Sequence, residues 1–335
     1  MPQILTFEQA LDASSKAKHR HLLLGNGFSI ACRPDIFVYK KLFEQANFNE
    51  IPRARKAFDA LGTTDFERMI KALRDFAAIA PIYGHHSAEA EADAVALREV
   101  LVRTIAGSHP ARPGDIAPDE YAHCKSFLSH FDRIFTLNYD LLLYWALMQD
   151  EIQPAVSCDD GFRKSDDKDA GYVTWEPENI YGQNIYYLHG ALHLFDAQTE
   201  LQKYTWTNTG VPLIDQIRDA LSRNFFPLFV AEGTSEEKII RIRHSDYLSK
   251  AYRSFIPITG PLFVYGHSLA DNDDHILQVI GWGKTDSLFV SIHNDPESEK
   301  NQEIIRRATA LAGHRSPRNP LAVYFFHAES ASIWR

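Results

Sequence analysis

The stretch His21-Leu22-Leu23-Leu24-Gly25-Asn26-Gly27-Phe28-Ser29 passes from unbroken leucine to a glycine turn with no polar spacer. Side chains alternate between the faces of a strand, so three consecutive leucines require a strand covered on both faces, as in a parallel sheet flanked by helices. Four later segments share this form. Residues 133–137 run into Asn138-Tyr139-Asp140, 184–188 into His189-Gly190, 261–265 into Gly266-His267-Ser268, and 288–292 into His293-Asn294-Asp295. Another apolar run covers 322–326. Between these runs the spacing predicts helices over 36–47, 66–76, 87–106, 120–130, 140–148, 211–223 and 235–254, with Thr64 and Asp65 placed to cap the second. Short apolar strands alternating with helices predict an α/β, doubly wound, Rossmann-like and mostly parallel sheet. One domain is expected over 1–335, with 36–130 and 150–183 as helical and loop insertions. The polar, turn-rich residues 153–182 read as a mobile excursion from the sheet.

The composition narrows the function classes. With 35 Lys and Arg against 44 Asp and Glu, the chain carries a formal net charge of −9. Counterion release on nucleic acid needs a clustered cationic excess, so general nucleic-acid or membrane-surface binding is disfavoured. Cys32, Cys124 and Cys158 stand far apart with no CxxC pair, which rules out a cysteine zinc ribbon and argues against a disulfide framework. The opening residues have neither a basic segment nor a long apolar one. No apolar run approaches the roughly 20 residues of a membrane-spanning helix. A cytoplasmic location is expected.

In a doubly wound sheet ligands bind outside the carboxyl ends of the strands, where every polar tip quoted above falls. Gly25-Asn26-Gly27-Phe28-Ser29 suits a phosphate-binding turn, because glycines admit a close anion and the next helix offers free N–H groups. It is not a full G-x-G-x-x-G fingerprint, since Ile30 stands where the third glycine belongs. A plain strand-to-helix turn would explain it equally well. Asn138 and Asp140 fit either a ligand site or a helix N-cap with an acid at the helix start. His189 beside Gly190 offers an imidazole for acid–base work, or a satisfied strand-end histidine. His189 and His193 have a metal-like spacing without a recognisable carboxylate partner, and no metal is expected. His85-His86 reads as surface.

Taken in order, these motifs resemble the SIR2 superfamily, and more closely its SIR2-like branch, including the family labelled DUF4917. Sirtuins carry G-A-G-x-S, T-x-N-x-D, H-G, G-[ST]-S-L and a late Asn. This chain has Gly25-Asn26-Gly27-Phe28-Ser29, Thr136-Leu137-Asn138-Tyr139-Asp140, His189-Gly190, Gly266-His267-Ser268-Leu269 and Ile292-His293-Asn294. Arg33-Pro34-Asp35-Ile36-Phe37 echoes the sirtuin I-P-D-F segment one residue early. Asn26 replaces the usual alanine, and the zinc ribbon has no counterpart. Loss of the ribbon, against which sirtuins bind acyl-lysine peptides, turns the resemblance from protein deacylation toward the NAD-degrading effectors of bacterial antiphage defence.

The resemblance implies an NAD+ glycohydrolase that uses NAD+ as substrate and no metal. Asn138 would face the ribose and the reactive water, Asp140 the nicotinamide carboxamide, and His189 would act as general base. The Gly25–Ser29 turn (Gly25, Asn26, Gly27, Phe28, Ser29), with Gly266 and Ser268, would hold the pyrophosphate. Asn294 would take the adenosine ribose, and Asp35 and Phe37 the nicotinamide side. A homo-oligomer or a regulatory partner protein would hold such an activity in check. Alternatives stay open: an NAD+ or ADP-ribose-binding module without turnover, an NAD-dependent deacylase or ADP-ribosyltransferase, and an α/β-hydrolase. In the last, Gly266-His267-Ser268-Leu269-Ala270 would approximate a nucleophile elbow, with Asp295 and His327 completing the triad.

Overall fold

The structure is a computed structural model that describes residues 2–165, 170–179, 182–205, 210–231 and 233–335. Its strands are β1 (Ile4–Leu5), β2 (His21–Leu24), β3 (Arg133–Thr136), β4 (Phe162–Lys164), β5 (Tyr172–Trp175), β6 (Ile185–Tyr187), β7 (Leu194–Asp196), β8 (Leu201–Tyr204), β9 (Thr259–Tyr265), β10 (Lys284–Ile292) and β11 (Ala322–His327). Seven of them form one sheet in the order β1-β11-β10-β9-β2-β3-β6, and every pairing in it is parallel.

The leucine run does what its pattern requires. Leu22 and Leu24 enter the hydrophobic cluster on one face, while Leu23 enters the separate cluster on the other. The central strand β9 divides in the same way, with Phe263 and Tyr265 on the first side and Leu262 and Val264 on the second. All these residues except Tyr265 have 0% exposure. Two cores separated by the sheet are the signature of a sheet covered on both faces, and they identify the α/β, Rossmann-like architecture.

Between β2 and β3 the chain inserts a layer of helices that includes Pro52–Leu61, Phe66–Ile79 and Ala88–Ser108. The Asp65 side chain caps the second of these by accepting the Arg68 N–H (3.1 Å). The predicted helix over 36–47 divides at Val38, which adopts an extended backbone between Pro34–Phe37 and Tyr39–Gln45. The predicted helix over 235–254 likewise divides, because Ser245 leaves the helical conformation and caps Asp246–Phe255.

The larger departure lies in the second sheet. Strands β4-β5-β8-β7 form an antiparallel sheet, so residues 162–164 and 172–175 within 153–182 are paired strands and not part of an excursion. The other two strands of this sheet lie beyond His189-Gly190, and polar turns at short range hid a pairing made at long range. Lys203 on β8 pins it by donating to Asp160 Oδ2 (2.5 Å). Residues 166–169 and 180–181 of the polar stretch lie outside the described residues.

Candidate active site

From β2 the chain proceeds to β3 and β6 on one side of the sheet, then returns to β9, β10 and β11 on the other. The direction of winding therefore switches between β2 and β9, and a crevice is expected there. The loops following these two strands meet at that point. Gly25 N–H donates to Tyr265 O (2.9 Å) and Gly27 N–H to Gly266 O (2.8 Å). A Cβ on Gly27 would stand 2.5 Å from Gly266 Cα, so the backbones touch only because both residues lack one. The Phe28 and Ser29 amides turn back onto Gly25 O and Asn26 O. This corrects one expectation for the turn: these four amides bind protein carbonyls and do not form an open phosphate cradle.

A cavity of about 1090 Å³ opens at this junction. That lies slightly above the ~300–1,000 Å³ typical of small-molecule sites. Gly25, Asn26, Gly27, Phe37, Asn138, Asp140, His189, Gly266 and Ser268 all line it. Ser29 lies behind them, fully buried. Its hydroxyl donates to Asp140 Oδ2 (2.5 Å) and accepts from Asn138 Nδ2 (3.0 Å), so one side chain orients two strand-end residues. Asp140 Oδ1 accepts the Leu142 N–H (2.9 Å) at the first residue of helix Leu142–Leu147, a helix that begins too late for Asn138 to cap it. Burial raises the Asp140 carboxyl above the ordinary range, against the hydrogen bonds from Ser29 and Leu142.

Three predicted residues are placed elsewhere. Phe28 is a core residue with its ring centroid 5.2 Å from that of Trp334. Asp35 is exposed, because the short helix Pro34–Phe37 turns Phe37 inward and Asp35 outward. Asn294 sits in an exposed left-handed turn (φ +58°), where its N–H is held by Glu329 Oε1 (2.7 Å). Neither Asp35 nor Asn294 lines the cavity, whereas Ser291, His293 and Asn301 do.

His189 is 2% exposed and locked by its backbone. Val230 N–H donates to His189 O (2.9 Å) and Ala191 N–H to Leu228 O (3.0 Å). Gly190 is held at φ +76°, and a Cβ there would lie 2.0 Å from Leu228 O. The His189 Nε2 meets His275 Nε2 at 3.0 Å, with Asp273 Oδ1 at 3.9 Å. Burial pulls the imidazole pKa well below its ordinary value, with Asp273 opposing the shift, so His189 is neutral at pH 7. His193 is not its companion. That ring stacks on Tyr144 (centroids 4.8 Å apart) inside the core.

Beneath the cavity runs a buried polar network absent from the sequence expectations. Lys238 Nζ donates to Glu67 Oε2 (2.7 Å) and Asp273 Oδ1 (2.8 Å), and is 0% exposed. His267 Nδ1 accepts the Leu269 N–H (3.0 Å), so its ring proton sits on Nε2 and is directed at Asp273 Oδ2 (2.9 Å). Burial alone would raise Asp273, but Lys238 and the histidines outweigh it and hold the carboxylate well below its usual range. Glu67 is raised by burial. The Tyr139 hydroxyl, with one proton, reaches both Val230 O (2.7 Å) and Glu67 Oε1 (3.0 Å). A proton on Glu67 satisfies both contacts. The signal in the sequence was Asp271-Asn272-Asp273-Asp274-His275, which directly follows a site loop. Lys238 and Glu67 gave none, because each reads as an ordinary charge on a helix.

Near the site, His109 makes folding stability depend on pH. Its Nε2 accepts the Leu141 N–H (3.1 Å), so Nδ1 carries the proton and donates to Pro110 O (3.0 Å). Burial lowers its pKa to about 4. The unfolded chain takes up the proton near 6.5, so the stabilisation is present above that pH and is lost as pH falls toward 4. The expected loss from His109 is about 2 kcal/mol at pH 5 and about 3 by pH 4, read from urea unfolding at pH 7, 5 and 4. Equal stability at pH 7 and 5 would contradict it.

The family described as "Domain of unknown function (DUF4917)" matches residues 22–334, so the chain belongs to that family. No curated protein matches the chain. No helix among the described residues is long and apolar enough to cross a membrane.

Proposed function

We propose that this member of the DUF4917 family hydrolyses NAD+ to nicotinamide and ADP-ribose, as a cytoplasmic SIR2-like effector of bacterial antiphage defence. The observation that carries this reading is the convergence of Asn138 and Asp140 from one motif and His189 from another on one cavity at the switch point. The sirtuin-like order of those motifs, without paired cysteines for a zinc ribbon, favours consumption of NAD+ over deacylation of proteins.

Cleavage of the nicotinamide–ribose bond passes through an oxocarbenium-like state, and the neutral pyridine leaves without protonation. The protein has to position the ring, stabilise positive charge on the ribose, and direct water. Asn138, held by Ser29, faces the ribose and the water. Asp140 addresses the carboxamide and adds negative charge near the ribose. With Nε2 directed at His275, His189 has Nδ1 left to take a proton from a ribose hydroxyl or from water. Because four of the five turn amides are engaged, most of the diphosphate charge falls to cationic residues lining the cavity, among them Arg68, Lys300, Arg307 and Arg335. A homo-oligomer or a partner protein would keep the activity latent.

Incubation of the purified chain with NAD+ tests this directly, with nicotinamide and ADP-ribose as products. NAD+ depletion on overexpression in cells covers a latent enzyme. Binding of NAD+ with no product in either assay would favour a binding module instead. The α/β-hydrolase reading is disfavoured, since neither Asp295 nor His327 lines the cavity that Ser268 faces. Ser268→Ala is therefore expected to retain turnover within about 10-fold, because at most a hydrogen bond to substrate is lost. Covalent labelling of Ser268 by a fluorophosphonate would revive the hydrolase.

A further inference from the structure

We propose that His189, His275 and Asp273 form a binding site for a zinc-class divalent cation, and that filling it silences His189. The three side chains offer ligand atoms that all lie within 4.8 Å of one another. His189 arrives from the end of β6, whereas Asp273 and His275 come from the segment after β9, so the fold has brought the set together across 84 residues of chain (189 to 273).

The distances suit a small tetrahedral ion. With Zn–N near 2.0–2.1 Å, tetrahedral ligands stand ~3.4 Å apart. The two Nε2 atoms are 3.0 Å apart, and Asp273 Oδ1 is 3.9 Å from His189 Nε2, so the observed separations bracket that value. Two imidazoles and one carboxylate are a borderline-soft donor set, which favours zinc or cobalt over magnesium or calcium. His189 and Asp273 line the cavity, which leaves the fourth position to water.

The surroundings are arranged as they are around bound metals. Ligating histidines generally donate their second ring N–H, and ligating carboxylates receive hydrogen bonds of their own. The His275 Nδ1 lies 3.2 Å from Ser235 Oγ, which also accepts the His275 backbone N–H (2.6 Å). Asp273 Oδ2 is held by His267 Nε2 (2.9 Å). Lys238 occupies one lone pair of Oδ1 (2.8 Å), leaving the other for the ion.

The two states of His189 exclude each other. Without metal, Nε2–H points to His275 and Nδ1 holds a lone pair. With metal on Nε2, the neutral ring carries its proton on Nδ1 and can no longer accept one. The ring keeps a single proton throughout, moved from one nitrogen to the other through solvent. This consequence for turnover rests on the NAD+ reading, but binding of the ion does not.

Titration of the full chain with ZnCl2 by calorimetry, and with CoCl2 by visible absorption, is expected to show one ion per chain and the intense bands of four-coordinate cobalt. His275→Gln removes a ligand and is expected to weaken binding by at least about 100-fold, and Ser235→Ala, which keeps every ligand, by about 10-fold. Replacing the exposed pair His85 and His86 by alanine leaves the high-affinity ion in place. Circular dichroism confirms folding, and Ser235→Ala carries the test if His275→Gln does not fold. Absence of one-to-one binding, or unchanged binding in the folded variants, overturns the site. Where nicotinamide release is measurable, zinc is expected to suppress it and a chelator to restore it. Undiminished release at full occupancy overturns the silencing while leaving the NAD+ reading intact. Absence of release from any form counts against that reading and leaves the metal titration standing.

Discussion

Replacing His189 by alanine is expected to reduce nicotinamide release by about 10²- to 10⁴-fold, the range contributed by a positioned acid–base group. Asn138→Ala is expected to cause a loss of similar size by a different route. His189 would be removed as the proton acceptor, so the loss should appear in kcat. Asn138 holds the water and the ribose, and it is itself held by Ser29 Oγ (3.0 Å). Conservative replacement separates the two roles. Asn138→Asp keeps an oxygen but cannot donate to Ser29 when ionised, and is expected to remain impaired. The measurement is product formation by chromatography, with thermal unfolding as the control for fold. Full activity in either alanine variant would remove that residue from the mechanism, and full activity in both would end the proposal.

The second large effect concerns stability. Lys238→Met is expected to destabilise the protein by about 3–5 kcal/mol, as when one partner of a buried ion pair is removed. The ammonium is fully buried between Glu67 and Asp273. Burial alone would lower its pKa, but the two carboxyl groups outweigh burial and hold it above its ordinary value. Without it, Asp273 is left in the interior with only histidines beside it. Adding Asp273→Asn should recover part of the loss, because the uncompensated charge is then gone, and the double-mutant cycle measures the coupling. Chemical denaturation is the readout. A change below about 1 kcal/mol in Lys238→Met would mean that Asp273 takes up a proton at little cost and that the network is not organised around an ion pair.

Much of the fold was legible because buried parallel strands write themselves as short apolar runs. The runs at 133–137, 184–188, 261–265 and 322–326 each overlap a strand of the parallel sheet. The two-residue β1 was missed, since two paired residues leave no periodicity to detect. The antiparallel sheet was missed because its short strands alternate with polar turns and its two hairpins are joined only by the β5–β8 pairing across the His189 loop. Part of the site was legible for a related reason: strand ends are fixed by the sheet, so Asn138, Asp140 and His189 could be placed together from order alone. Asp35, Phe28 and Asn294 could not, since whether a residue after a strand faces in or out depends on the turn of a short helix or loop. Glu67 and Lys238 were invisible for the opposite reason. They come from helices, where a charged side chain is ordinarily solvated, and only tertiary packing shows them to be buried.

The contact between Gly27 and Gly266 also bears on how this pocket can be redesigned. Apart from the polar strand ends, its lining includes two contrasting classes of position. At one, backbone meets backbone and any side chain acts as a wedge between the halves of the sheet, as a Cβ 2.5 Å from Gly266 Cα shows. At the other, side chains such as Ile30, Leu42, Leu101 and Ile105 reach the cavity from the helical layer. Libraries aimed at altered ligand preference should hold the glycine junction constant and vary the helical wall, where a change in volume is paid in packing and not in the union of the sheet. Specificity and foldability are therefore assigned to different parts of the same pocket.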